Sequence, residues 1–277
     1  MAEYPDIPPL RAVGVVHSPV AAPDEMPPGG VPARVEVFAE YAPALDRLEE
    51  HSHAWLLTWF HAAAHDRLHV RPSRADENAP EYGVFALRAF MRPNPIGLTL
   101  IELGPIERSS AGSAYVDVAR LDAVDATPVL DIKPYFENDV VFSPRTPYLR
   151  PRTRAARLAL IRRHALAHHL EDCPGLRLAV RMALLAEERF GHLNEPDIIV
   201  EVVGSPHVAD ALQGITRARL ANPARFAFQP SEETTAVRFS GRGLTLDLRP
   251  LAADADWLSL EIADEDLLQV EESTTDP

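Results

Sequence analysis

Apolar and polar positions alternate with a period of two over several short runs in the first half of the chain. Ala33 to Phe38 sets Arg34 and Glu36 against Val35 and Val37, which predicts a half-exposed strand. Trp55 to Phe60 is apolar almost throughout, which predicts a buried one. Further strand-like runs are Val13 to Val16, Tyr82 to Leu87, Ile96 to Leu103, Ala114 to Ala119 and Pro128 to Ile132, separated by turn residues. Pro8-Pro9, Pro27-Pro28 and Gly29-Gly30 punctuate the opening segment, so one strand followed by a long loop is expected there. Pro43 to Glu50 has helical composition, with proline near the first turn where its missing N–H costs least. Many short strands with little helix predict a mainly β N-terminal domain, a small barrel or sandwich, over residues 1–145.

The texture changes beyond Phe142. A Pro/Arg segment, Ser143 to Pro151, precedes a long helical pattern from Thr153 to His169, and a second helix is expected from Pro174 to Phe190. A strand at Ile198 to Val203, a helix from about His207 and strands at Ala236 to Phe239 and Leu244 to Leu248 complete an α+β domain over residues 152–270. Ser240-Gly-Arg-Gly243 makes its hairpin turn. The acidic tail from Glu261 ends in a polar run whose end is expected to fray.

A chain of 277 residues, 46% of them hydrophobic, suits two globular domains. No apolar run is long enough to span a bilayer, and no basic segment followed by an apolar stretch opens the chain. A soluble, unexported protein without a membrane partner is expected. Cys173 is the single cysteine, which excludes an intramolecular disulfide framework and makes the cytoplasm the natural compartment. The formal net charge is −14, and residues 1–150 hold 13 Lys+Arg against 21 Asp+Glu. The cationic face that nucleic-acid binding ordinarily requires is therefore absent in bulk, although Arg145, Arg150, Arg152, Arg154 and Arg157 cluster mid-chain.

Three segments carry candidate chemistry. In Arg88-Ala-Phe-Met-Arg-Pro-Asn-Pro-Ile-Gly97, two prolines bracket Asn94 and bias Arg92 and Asn94 toward extended backbone. The result is a stiff loop that presents side chains at little ordering cost. Alternation along Thr127-Pro-Val-Leu-Asp-Ile-Lys-Pro-Tyr135 puts Asp131, Lys133 and Tyr135 on one strand face, and Lys133 is the only lysine in the chain. The third segment, His51 to His61, places histidines at both ends of an apolar strand.

Taken together, Ser52-His-Ala-Trp-Leu-Leu57, Phe60-His61, Gly83 to Arg88, Arg92 to Gly97 and Thr127 to Tyr135 resemble the TrmO/YaeB (TsaA-like) family over roughly residues 11–142. The resemblance implies a barrel-shaped, homodimeric methyltransferase that binds S-adenosyl-L-methionine and acts on a threonylcarbamoyl-modified adenosine beside the tRNA anticodon. It assigns the cofactor to His53, Arg88, Arg92, Asn94, Ile96 and Gly97. Acceptor positioning or proton handling falls to Asp131, Lys133 and Tyr135, the catalytic candidates. The chain departs from the family's Thr-Arg-Ser-Pro-Phe at Leu87 to Met91, and from its Asp-Gly-Thr-Pro at Asp125 to Pro128, which implies a reshaped acceptor pocket.

In the second domain, His169-Leu-Glu-Asp-Cys-Pro-Gly175 and His207-Val-Ala-Asp210 resemble FmdE-like domains. Glu171 stands where those domains have a histidine and His207 where they have a cysteine. Imidazole, thiolate and carboxylate all bind borderline divalent ions, so zinc or another divalent metal on His169, Glu171, Cys173 and His207 is implied. The expected function is S-adenosylmethionine-dependent methyl transfer, with a small-molecule acceptor favoured over tRNA by the charge and the altered loops. Aminocarboxypropyl transfer and a non-catalytic S-adenosylmethionine or metal sensor are the alternatives.

Overall fold

The computed structural model describes residues 9–274 apart from 28 and 74, so Pro8, Pro28 and the last three tail residues lie outside it. The chain forms two compact units. One comprises the chain to Arg71 together with Pro80–Val140, and the other comprises Pro72–Ala79 and the chain from Val141.

The first unit holds β1 (Gly14–His17), β2 (Val31–Val37), β3 (His53–Trp59), β4 (His69–Val70), β5 (Tyr82–Gly83), β6 (Ile96–Glu102), β7 (Ile106–Arg108), β8 (Ala114–Leu121) and β9 (Pro128–Pro134). Seven of these make one antiparallel sheet in the order β6-β3-β9-β1-β2-β8-β7, and β4 pairs with β5 as a separate ribbon. Alternation decides the faces. Val35, Val37, Ala54, Leu56, Val116 and Val118 are buried together, while Arg34 and Asp117 pair on the outer side at 2.7 Å.

Hydrogen bonding does not close the expected barrel, because β6 and β7 remain edge strands. The sheet curls until β6 lies against β8, and Thr99 Oγ1 donates to Asp122 Oδ1 at 2.8 Å across that approach. Two local expectations also change. Residues 43–50 form two 3₁₀ turns, Ala42–Leu45 and Leu48–Glu50, interrupted at Arg47 by a left-handed backbone (φ 71°). Strand pairing at Tyr82 stops after Gly83, where a 3₁₀ turn over Val84–Ala86 begins. The run Trp55 to Phe60 is not buried on both sides: Ala54, Leu56 and Thr58 are buried, whereas Trp55, Leu57 and Trp59 are only half-buried.

The second unit holds α1 (Arg154–His169), α2 (Pro174–Phe190), β10 (Ile199–Gly204), α3 (Pro206–Thr216), β11 (Phe226–Pro230), β12 (Ala236–Gly241), β13 (Leu244–Pro250), α4 (Asp264–Leu267) and β14 (Leu268–Thr274). Its sheet runs β11-β10-β12-β13-β14, with β10 and β11 parallel and the other pairs antiparallel. Helix α2 is the core element, buried through Leu176, Ala179, Val180, Met182, Ala183, Leu184 and Ala186. The acidic tail pairs with β13 from Pro250↔Leu268 to Leu244↔Thr274, and the last three residues of the run expected to fray lie outside the described residues. Among the described residues no helix is long and apolar enough to cross a membrane.

Candidate functional site

A cleft of about 540 Å³ runs along the unpaired edge of β6 in the first unit. Ile96 to Leu100 form its floor, Phe60, Phe85 and Leu87 supply apolar walls, and Arg88, Arg92, Arg120 and Asp122 supply charge. Edge strands leave alternate backbone N–H and C=O groups without strand partners, so the floor itself offers donors and acceptors.

The loop that sequence reading singled out builds one wall. Arg92 donates through Nη2 to the carbonyls of Val84 and Leu87, which fixes the 3₁₀ turn against the prolines, and its buried Nε has no partner. Ile96 N–H donates to Asn94 O at 2.7 Å, and Phe60 N–H donates to Pro95 O at 2.8 Å, so the Pro-Asn-Pro segment is tied to the end of β3. Gly97 is required by packing: a Cβ there would stand 2.4 Å from Thr58 Oγ1 and 2.5 Å from the Phe60 ring. Arg88 and Arg120 are exposed and make no ion pair among the described residues.

Of the six expected cofactor residues, Arg88, Arg92, Ile96 and Gly97 line this cleft. Asn94 does not line it and is exposed on the loop. His53 starts β3 and pairs with Glu102, at the far end from the Trp59↔Ile96 pair, about 20 Å along the strand. There its ring meets Tyr135 at 6.4 Å.

Asp131, Lys133 and Tyr135 share the outer face of β9. Lys133 Nζ lies 2.6 Å from Asp131 Oδ2, and the Tyr135 ring is 5.9 Å from that of Trp55. Strand register forms two rows across the sheet, Leu98–Leu57–Asp131 and Leu100–Trp55–Lys133. Asp131 therefore stands two strands, about 10 Å, from a cleft residue. Arg120 and Asp122 are cleft residues that nothing in their local pattern distinguishes from strand-end residues, and Phe60 is marked by the Phe60-His61 motif without a role.

The second unit gathers a different group. His169 ends α1, Cys173 caps α2 with its Sγ accepting from Leu176 N–H, and His207 opens α3. His169 Nε2 lies 3.3 Å from Cys173 Sγ and 3.1 Å from His207 Nδ1, and Sγ to His207 Nδ1 is 3.6 Å. Gly175 and Gly214 make this meeting possible, because a Cβ would fall 2.8 Å from the Cβ of His207 and 2.4 Å from that of His168, respectively. Glu171, expected in this set, is exposed and outside it. Asp210 joins instead as a neighbour of His169, with Oδ2 at 2.7 Å from Nδ1.

Residues 15–139 match the family model described as the tRNA-methyltransferase O N-terminal domain. A probable S-adenosyl-L-methionine-binding protein of Methanothermobacter thermautotrophicus is 40% identical over 136 residues, covering 47% of this chain and 90% of that protein. Another of the same description from Archaeoglobus fulgidus is 33% identical over 224 residues, covering 77% of this chain and 59% of that protein. A tRNA (adenine(37)-N6)-methyltransferase of Escherichia coli is 41% identical over 135 residues, covering 46% of this chain and 57% of that protein. The match thus spans less than two thirds of the Archaeoglobus and Escherichia relatives, while the 224-residue match necessarily includes part of the second unit.

Proposed function

Because the chain belongs to the tRNA-methyltransferase O family through its N-terminal domain, we propose that it is an S-adenosylmethionine-dependent methyltransferase whose cofactor occupies the β6 cleft. The observation that carries this reading is the meeting, in one cleft, of a free strand edge with two guanidiniums that make no ion pair among the described residues. Backbone donors and acceptors on β6 suit the hydrogen-bonding edge of an adenine, and Arg88 and Arg120 suit an amino-acid carboxylate. Phe60 and Phe85 offer ring faces to a sulfonium. When bound, the cofactor supplies a methyl group already activated by positive sulfur, so no nucleophilic side chain is required of the protein. Arg92 shapes the wall through two carbonyl contacts, both made by Nη2, and its buried Nε has no partner.

Asp131 is assigned to hold or accept the acceptor's proton, with Lys133 holding its carboxylate in place from 2.6 Å and Tyr135 fixing orientation. Asp131→Asn is expected to lower turnover about 100-fold while S-adenosylmethionine affinity stays unchanged within about twofold; full turnover refutes the assignment. A small-molecule acceptor is favoured by the net charge of −14. The tRNA reading is supported by the name of the Escherichia relative. Incubation with methyl-labelled S-adenosylmethionine, bulk tRNA and a metabolite extract separates them. Label in the metabolite fraction is expected, label in tRNA selects the second acceptor, and no label in either contradicts the enzyme and favours a sensor.

The resemblance's homodimer is assigned to the outer face of β3 and β6, where Leu98 and Leu100, which also line the cleft, are 43% and 42% exposed beside Trp55 and Leu57. Leu98→Glu with Leu100→Glu is expected to halve the mass seen by light scattering. A wild-type monomer contradicts the assignment.

A further inference from the structure

We propose that the second unit binds one divalent metal ion, of zinc type, through His169 Nε2, Cys173 Sγ and His207 Nδ1, and leaves a coordination position open to an exogenous ligand. The site is distinct from the methyl-transfer cleft, since all of its residues belong to the second unit.

Distances carry the first part of the argument. A tetrahedral ion with metal–nitrogen bonds near 2.05 Å and metal–sulfur bonds near 2.3 Å holds its ligand atoms about 3.3 Å apart for N and N, and about 3.6 Å for N and S. The three separations here are 3.1, 3.3 and 3.6 Å. Asp210 Oδ2 at 2.7 Å from His169 Nδ1 is placed to accept a hydrogen bond from that nitrogen, and Nε2 faces the other two ligand atoms. A carboxylate behind an imidazole is the arrangement that orients metal-ligating histidines and raises their basicity.

Local structure supplies the second part. Cys173 is 8% exposed at the N-terminus of the 17-residue helix α2, where its Sγ accepts from the Leu176 N–H at 3.4 Å. His169 is nearly buried, whereas His207 is exposed, so the triangle has one solvent-facing side. No fourth His, Cys, Asp or Glu among the described residues joins the three. Three protein ligands with a solvent side are the pattern of exchangeable rather than purely structural zinc.

The test uses the full-length chain. Elemental analysis after purification and dialysis against zinc is expected to give about one zinc per chain, and cobalt(II) replacement is expected to show thiolate-to-cobalt charge transfer with the intense visible bands of four-coordinate metal. Added imidazole should shift those bands. Cys173→Ala is expected to abolish the charge-transfer band and His207→Ala to reduce retained zinc below about a tenth. Asp210→Asn should weaken zinc binding about 10–100-fold without changing the melting temperature of the chelator-treated chain. Titration with S-adenosylmethionine on the same samples reports that the first unit is intact and keeps this result separate from the methyltransferase reading. Zinc retained in full by Cys173→Ala, or no zinc bound by wild-type chain at micromolar concentrations, overturns the site. Bands indifferent to imidazole overturn the open position.

Discussion

Gly97→Ala is expected to weaken S-adenosylmethionine binding about tenfold to a hundredfold. Gly97 carries no unusual backbone angle, so the effect is steric and local: the added carbon lands 2.4 Å from Thr58 Oγ1 and 2.5 Å from the Phe60 ring. Thr58 sits directly opposite Gly97 in the β3–β6 ladder and is 2% exposed, so it has no room to withdraw. Phe60 has room only by moving into the cleft it lines. Overpacking of this kind costs about 1–3 kcal/mol, which corresponds to that range in affinity when the loss falls on the bound state. Isothermal titration of the variant gives the fold-change. Gly97→Ala combined with Thr58→Ala and Phe60→Leu, which removes both clashing groups, is expected to recover most of the affinity; no recovery would show that the substitution acts by damaging the sheet rather than the cleft.

Arg181→Ala is expected to destabilise the second unit by about 3–5 kcal/mol, lowering its unfolding temperature by roughly 10 °C or more. Arg181 is completely buried in α2. It donates to Asp264 Oδ1 at 2.6 Å, to Ser259 O at 2.5 Å and to Ile262 O at 2.6 Å, which pins the segment leading into β14 onto the central helix. Removing it strands two carbonyls and leaves Asp264 with Arg154 as its remaining cation, in addition to opening a void the size of the side chain. Arg189→Ala is the matched control, since its exposed pair with Glu272 should contribute less than about 1 kcal/mol. Thermal melts of both variants decide the matter, and equal small shifts would show that the buried contacts are replaceable by water.

These two residues also mark what the sequence made legible. Gly97 is legible as a cofactor residue implied by the family resemblance, and its packing against Thr58 and Phe60 is not legible in the loop's own pattern. Arg181, by contrast, looks like a solvent-facing helical arginine, and only the tertiary position of Asp264, 83 residues away, explains its burial. Alternation exposed β2 because one face of that strand packs on a core. It was silent at β11 and β14, where only the first residue of each is buried and the remaining positions face solvent at the sheet's edges. The cleft was half legible. Arg88, Arg92, Ile96 and Gly97 reach it from one loop that local chemistry identifies, whereas Arg120 and Asp122 reach it only because the sheet curls β6 toward β8. Likewise Glu171 had the right chemistry and spacing on paper, but the helix end at His169 and the left-handed Leu170 (φ 66°) turn the chain so that Cys173 meets His207 and Glu171 points to solvent.

The central claim is that the edge of β6 holds S-adenosylmethionine, and isothermal titration of the full chain tests it most directly. The expected result is saturable binding with one site per chain, weakened about tenfold each by Arg88→Ala and Arg120→Ala and unaffected by Cys173→Ala. No binding by a folded chain, or binding indifferent to both arginine substitutions, would contradict it.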